Sequence, residues 1–321
     1  MARDNRIDSL KGLLILLVIL GHVITTMDNV NRINHAVMGL IYVFHMPLFI
    51  LISGYLTKPP DKQSARDLWR GVFNIFVPLL IFQFLSGLMV LAFGGDVLES
   101  IKVFPFGILW YLLSLIYWRV MLYYTPKALL NRPIIYLAIA LALSLLCGLT
   151  HLGRFLSIQR TVNFYFFFLL GYYYRQGALS TRWWKNNLLH LVTAIVLLPL
   201  IFWLFPRCGN FMNGADHYTW NGIPEKALIL ICSTAMSLLV FNILRDIKWL
   251  RDFGKDSLFH YLYHIFIVSG LFILSRNNNW PTTFPFILLH TAVTVGVLLL
   301  MSKVPFFRWL IHPTFKRRKS D

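Results

Sequence analysis

The chain has 321 residues, 57% of them hydrophobic and only 13% charged, with a formal net charge of +17 and a mean hydropathy of +0.64. A soluble domain of ordinary composition carries roughly 25% charged residues, so a globular soluble enzyme is excluded. An all-α, polytopic membrane bundle is expected instead.

Apolar runs recur along the whole length, each long enough to cross a hydrocarbon core of about 30 Å as a helix. Ten spans are predicted, at 9–27, 36–57, 70–93, 106–124, 133–150, 161–175, 188–205, 223–243, 258–275 and 283–303, in a single membrane domain covering 1–321 with a basic tail at 304–321. Of the 30 Lys and Arg residues, 21 fall on the side that holds both termini and 7 on the other, with Lys11 and Arg119 inside spans. The positive-inside rule then puts both ends in the cytoplasm. The tail stretch "FKRRKS" reads as an anchor on anionic lipid, at about 1 kcal/mol per basic residue near the surface. The positive charge thus predicts membrane lipid as a partner, and no nucleic acid. The short sixth span is kept because dropping it would turn Arg245, Lys248, Arg251, Lys255 and the tail outward.

Cys147, Cys208 and Cys232 are scattered and form neither a disulfide framework nor a metal site. The first span is too long for a signal-peptide core and reads as a signal-anchor helix. The longest outer loop, 206–224, offers Asp216, His217, Tyr218 and Trp220. These side chains suit a sugar, or are ordinary interfacial aromatics. There is no sign of the internal repeat that underlies many secondary transporters.

The opening run "RIDSLKGLLILLVILGH" carries polar residues where a membrane helix tolerates few. At about 100° per residue, Lys11 and His22 come within roughly 20° of one face, and Asp8 within roughly 40° of His22. The helical rise separates Lys11 from His22 by roughly 16 Å. Lys11 near a helix end also suits a snorkelling side chain, and His22 a neutral ring satisfied by a neighbouring helix. Ionisable groups within spans are nonetheless functional candidates by default, and the shared stripe favours function. In the second span, "VFHMPLFILISGYLTKPP", His45 shares a face with Phe49 and Ser53, and Pro47 permits a kink. His45 is either functional or bonded to a carbonyl freed there. Arg119, within about a turn of the inner end of the fourth span, either binds an anionic ligand or snorkels. His260 and His264 are four apart, but nothing completes a metal set, so packing is the expectation for them. No GxSxG elbow, Walker loop, HExxH or dinucleotide fingerprint is present. Any chemistry must run on an imidazole inside the membrane.

These stretches resemble the acyltransferase-3 family of ten-span bacterial membrane proteins, including its fucose 4-O-acetylase-like members. The match is to a basic residue, ten others and a histidine in the first helix, here Lys11 and His22 preceded by Arg6 and Asp8. "FHMPLFILISGYL", "WYLLSLIYWR" and "YLYH" are similar to the second-helix, fourth-helix and late-helix patterns. The family's basic position is often arginine; lysine here lacks the planar fork that suits phosphate. The resemblance implies an integral membrane O-acyltransferase of the bacterial inner membrane. It would move an acyl group, usually acetyl, from cytoplasmic acyl-CoA to a hydroxyl of an extracytoplasmic carbohydrate or its lipid-linked precursor. Acyl-CoA would be a co-substrate, with no permanently bound cofactor. Lys11 and Arg119 would hold the phosphates of acyl-CoA. His22 would act as general base or form an acyl-histidine, and His45 would orient it or polarise the carbonyl. Trp110 would line the site, with Arg6, Asp8, Ser53 and His264 supporting it. The rival is a proton-coupled transporter or flippase, with His22 and His45 as a proton relay.

Overall fold

The computed structural model describes residues 4–27, 32–95, 104–105, 107–151, 153, 155–179, 187–208, 214 and 217–311. The described residues are almost wholly helical and include no strand. Besides a single helical turn at Lys127–Leu130, the α-helices are α1 (Asn5–Thr26), α2 (Arg32–Leu56), α3 (Ala65–Ala92), α4 (Trp110–Tyr124), α5 (Pro133–Leu146), α6 (Ile158–Arg175), α7 (Asn187–Cys208), α8 (Ile223–Ile243), α9 (Lys248–Lys255), α10 (Ser257–Asn277), α11 (Phe284–Met301) and α12 (Pro305–Ile311). Every predicted span overlaps one of them. Among the described residues, six helices are long and apolar enough to cross a membrane: α1, α2, α3, α8, α10 and α11.

Local chemistry sets several of the ends. The Asp4 side chain accepts a hydrogen bond from the Arg6 amide at 2.9 Å and caps α1. Ser64 caps α3 in the same way, through the Asp67 amide. Such caps satisfy amides that have no partner inside the helix. α2 continues through Pro47. α4 begins at Trp110, after a tight 3-10 turn at Gly107–Leu109, rather than at the expected 106. At 15 residues it is about 22 Å long, shorter than a hydrocarbon core.

α1 lies in the middle of the bundle. Two-thirds of its apolar window (67%) is buried inside the protein, against 22% for α3 and for α11. α3 instead displays Phe73, Phe84, Leu88 and Leu91 on its outer surface, as a helix does whose solvent is lipid. Asp8 and Ser9 of α1 are buried, and Lys11 and His22 are half-buried.

Two close backbone approaches lock the core. A Cβ on Gly54 of α2 would stand 1.9 Å from the Phe168 carbonyl oxygen of α6, and one on Gly171 of α6 would stand 1.8 Å from that of Leu51. On the other flank, a Cβ on Gly12 of α1 would meet the Leu250 carbonyl oxygen of α9 at 2.0 Å. Only glycine permits helices to approach so closely. α9 is amphipathic: Leu250, Phe253 and Gly254 are buried, while Lys255 bonds to Asp252 at 2.7 Å on its polar side. Lys255 holds the exposed Asp252 carboxyl below the usual carboxylate range.

Candidate active site

The packing brings three imidazoles together from three helices. The His22 ring of α1 lies 5.2 Å from that of His264 on α10, tilted by 42°. His45 lies against the Tyr42 ring in an edge contact at 5.1 Å. Its Nδ1 is 2.7 Å from the Ile41 carbonyl oxygen. A carbonyl only accepts, so Nδ1 carries the proton, and in a neutral ring Nε2 is left as the acceptor. His264 is set the same way, its Nδ1 lying 2.7 Å from the Tyr261 carbonyl oxygen, and its buried Nε2 has no hydrogen-bond partner.

His22 and His45 line a cavity of about 450 Å³ together with Tyr42, Trp110, Arg160 and Tyr261. Its wall also includes Gly107 and Ile108, the turn that takes the place of the first residues expected in the fourth span. The Tyr261 hydroxyl donates to the Ile108 carbonyl oxygen and ties α10 to that turn.

A second, smaller cavity of about 220 Å³ lies at the other end of α2 and α4. Arg119 lines it with Thr57, Lys58, Gln63, Asp67 and Tyr123, and the Arg119 Nε is buried without a hydrogen-bond partner. The two cavities share no lining residue. Between them, the Ser53 and Tyr111 hydroxyls bond at 2.6 Å. Ser53 stands two turns from His45 and one from Thr57 on α2, and Tyr111 two turns from Arg119 on α4. The Ser53 hydroxyl also donates to the Phe49 carbonyl oxygen at 2.9 Å, which leaves Tyr111 as the donor in the shared bond.

The structure thus joins His22, His45 and Trp110, with His264 adjoining, and puts Arg119 in a separate pocket. Ser53 stands between the two. Lys11 lines neither cavity; its Nζ is 2.7 Å from the Asp8 carboxylate, with the two side chains 18% and 4% exposed. Arg6 reaches the Phe241 carbonyl oxygen at 3.3 Å and lies over the Phe241 ring at 5.0 Å, fastening α1 to α8. In the 206–224 segment, Tyr218 is buried and donates to the Leu145 carbonyl oxygen at 2.7 Å, while His217 stacks on His151 at 4.1 Å. Neither lines the His22 cavity, and Asp216 lies outside the described residues. His260 stacks on Phe253 at 3.9 Å, in keeping with packing. Among the described residues there is no cluster of three or more His, Cys, Asp or Glu able to hold a metal.

Sequence reasoning missed Tyr42, Tyr111, Tyr261 and Arg160. Tyr42 and Tyr261 stand three residues before His45 and His264, one helical turn along the same face, and that spacing is a usable signal. Arg160 immediately precedes the expected sixth span.

Comparison with known proteins bears on this geometry. The acyltransferase-3 family, described as an acyltransferase domain, matches residues 4–303. The chain belongs to that family. A stretch of 83 residues is 36% identical to the Nodulation protein NolL of Sinorhizobium fredii (strain NBRC 101917 / NGR234), covering 24% of this chain and 23% of that protein. No solved structure matches. The family match takes in every helix that contributes to the two cavities, so the three imidazoles lie within the region that this family shares.

Proposed function

We propose that this acyltransferase moves an acyl group, most simply acetyl, from cytoplasmic acyl-CoA to a hydroxyl of an extracytoplasmic carbohydrate or its lipid-linked precursor. The chain would cross the bacterial inner membrane ten times with both termini inside. The observation that carries this reading is that His22 and His45 line one cavity, with the His264 ring 5.2 Å from that of His22, and that a cationic pocket lies at the far end of the same helices.

In this reading Arg119 and Lys58 hold the donor's phosphates at the inner face through charge-assisted bonds. The thin pantetheine arm passes Ser53 and Tyr111 and brings the thioester to His22. The imidazole takes the proton of the acceptor hydroxyl as its oxygen attacks the thioester carbonyl. The carbon–oxygen bond forms, the carbon–sulfur bond breaks, and the proton passes to the departing thiolate. General-base help of this kind is worth about 10²–10⁴-fold. An acyl-histidine route uses the same ring as nucleophile. His45 and His264, each with Nδ1 committed to a carbonyl, keep the wall around His22 in fixed orientation. Three imidazoles would also suit the proton relay of a transporter, but family membership favours transfer.

The test compares surface glycans, by mass, from cells with the intact gene, without it, and with His22→Ala. A mass gain of one acyl unit that needs both the gene and His22 supports the proposal and names the acyl group. Acyl incorporation that persists in His22→Ala cells overturns it.

A further inference from the structure

A third cavity, of about 880 Å³, opens beside the Arg119 pocket, and the transfer step above does not use it. The two share Pro60 and Tyr123 in their walls, so one surface runs from the first into the second. Two short turns build its rim. The Pro60–Lys62 turn follows α2 and is closed by the Lys62 amide, which donates to the Pro59 carbonyl oxygen at 3.0 Å. The Lys127–Leu130 turn follows α4 and begins behind Pro126, whose carbonyl oxygen accepts from the Leu130 amide at 3.0 Å. Pro59, Pro60 and Pro126 restrict the backbone in both turns. Tyr173 of α6 ties the second turn down, its hydroxyl donating to the Leu130 carbonyl oxygen at 2.8 Å. The cavity is thus set before a ligand arrives, which spares the cost of ordering it.

Its lining sorts into three kinds of group. Lys62 and Lys127, one from each turn, are exposed cations. Tyr123, Tyr172 and Tyr173 supply aromatic rings, the last two held edge to face at 5.1 Å. Asp61 is the one carboxylate in the described lining. Two lysines suit phosphate, which they meet as point charges. Aromatic faces suit a planar base, on which they stack. A carboxylate repels phosphate but accepts a hydrogen bond from the amino group on a base edge. A neutral sugar has no use for the two cations, and a bare phosphate leaves the rings and Asp61 idle. A phosphorylated nucleoside uses all three kinds.

We propose that this cavity seats the phosphorylated adenosine of the donor coenzyme, with Lys62 and Lys127 on the ribose 3′-phosphate, tyrosine rings against the adenine and Asp61 on its amino group. The Arg119 pocket then holds the pyrophosphate, and the ribose lies at the wall that the two cavities share. The protein therefore selects a nucleotide-bearing thioester over one carried on pantetheine alone. The inference rests on reading acyl-CoA as the donor, but its test does not need turnover.

The full-length protein in detergent is titrated by calorimetry with adenosine 3′,5′-bisphosphate, inosine 3′,5′-bisphosphate, AMP and glycerol 3-phosphate. Adenosine 3′,5′-bisphosphate should bind tightest. AMP, which lacks the 3′-phosphate, should bind about fivefold more weakly, as loss of an exposed charge contact does. Inosine 3′,5′-bisphosphate, which lacks the amino group, should be weaker by a similar factor, about fivefold. Replacing both lysines, Lys62→Gln with Lys127→Gln, should erase the advantage over AMP, while Lys62→Arg with Lys127→Arg keeps it. Asp61→Asn should erase the preference for adenine over hypoxanthine. Glycerol 3-phosphate binding as well as the nucleotide would point to a lipid headgroup and overturns the proposal. No binding of adenosine 3′,5′-bisphosphate, or preferences that persist in the variants, also overturns it. Asp61, Lys62 and Lys127 are all exposed, and if a variant still fails to fold, the ranking of the four probes on the wild type decides. Nucleotide binding as described without acyl transfer from acetyl-CoA leaves this site standing and counts against the acyl-transfer reading. Acyl transfer from acetyl-CoA by a protein that does not bind the bisphosphate does the reverse.

Discussion

The cavity at His22 and the pocket at Arg119 draw on the same two helices and hold opposite chemistry. α2 gives His45 to one and Leu56 to the other; α4 gives Trp110 to one and Arg119 to the other. The first is walled mainly by imidazoles and aromatic rings, with Arg160 against Trp110, the second by Lys58, Asp67, Gln63 and Arg119. A hydrogen bond between Ser53 and Tyr111, at 2.6 Å, stands between them. The division suits a two-part substrate, with a charged head that stays near water and a reactive end that must leave it. Charge is costly in hydrocarbon, whereas a thioester is not. One pair of helices can therefore bind at one end and react at the other.

The sharpest way to break this comparison is to remove the reactive ring. His22→Ala should lower turnover by about 10²–10⁴-fold, while expression and membrane insertion stay near wild type, because the glycine contacts that hold α1, α2 and α6 in the core do not involve the ring. Acyl transfer in membranes from cells making the variant measures it. Turnover within a few fold of wild type would dissociate the cavity from the chemistry.

Removing the cation should act differently. Arg119→Gln is expected to raise the KM for acyl-CoA by roughly 10–100-fold, as loss of a hydrogen bond between charged partners does, and to change kcat much less. A saturation curve for acyl-CoA separates the two effects. A kcat loss at unchanged KM would move Arg119 from holding the donor to taking part in the reaction.

The helices were legible in the sequence because most of the apolar runs are long and end in turn chemistry. The start of α4 was not. A local turn at Gly107–Leu109 replaces the helix there, inside a run whose hydropathy gives no sign of it, and that turn is part of the cavity wall. Lys11 and His22 were legible as a stripe, because helical geometry fixes positions within one helix. The meeting of His22 with His264 was not, since no periodicity reports which distant helix will pack beside another. Arg160 escaped for a related reason. Beside an apolar run, a cation facing a cavity and one facing water look alike until the packing is known.

The bond between the two cavities offers a third test. Tyr111→Phe keeps the ring in its aromatic contacts and removes the hydroxyl that bonds to Ser53. A neutral hydrogen bond is worth about 1 kcal/mol net, so the passage should open about fivefold more readily. The expected result is a rise of about fivefold in acyl-CoA hydrolysis without acceptor, read as free thiol released. No rise would mean that the donor's arm does not pass this pair.

The smallest effect should come from the cation that stands out most in the sequence. Lys11 is bonded to Asp8 at 2.7 Å and lines neither cavity, so its charge is largely answered within α1. Pairs that are partly open to solvent contribute about 0–1 kcal/mol. Lys11→Ala should then change the KM for acyl-CoA by no more than about fivefold, well short of Arg119→Gln. Asp8→Asn makes the comparison decisive, because it releases Lys11 while keeping the shape of its partner. If Lys11 waits to hold phosphate, the released ammonium should lower the KM. If the pair only fastens α1 beside α9, where Gly12 meets the Leu250 carbonyl, the KM should stay put and thermal unfolding should fall by a few degrees. We expect the second result, since a lysine already held by a carboxylate gives up that partner only for a better one.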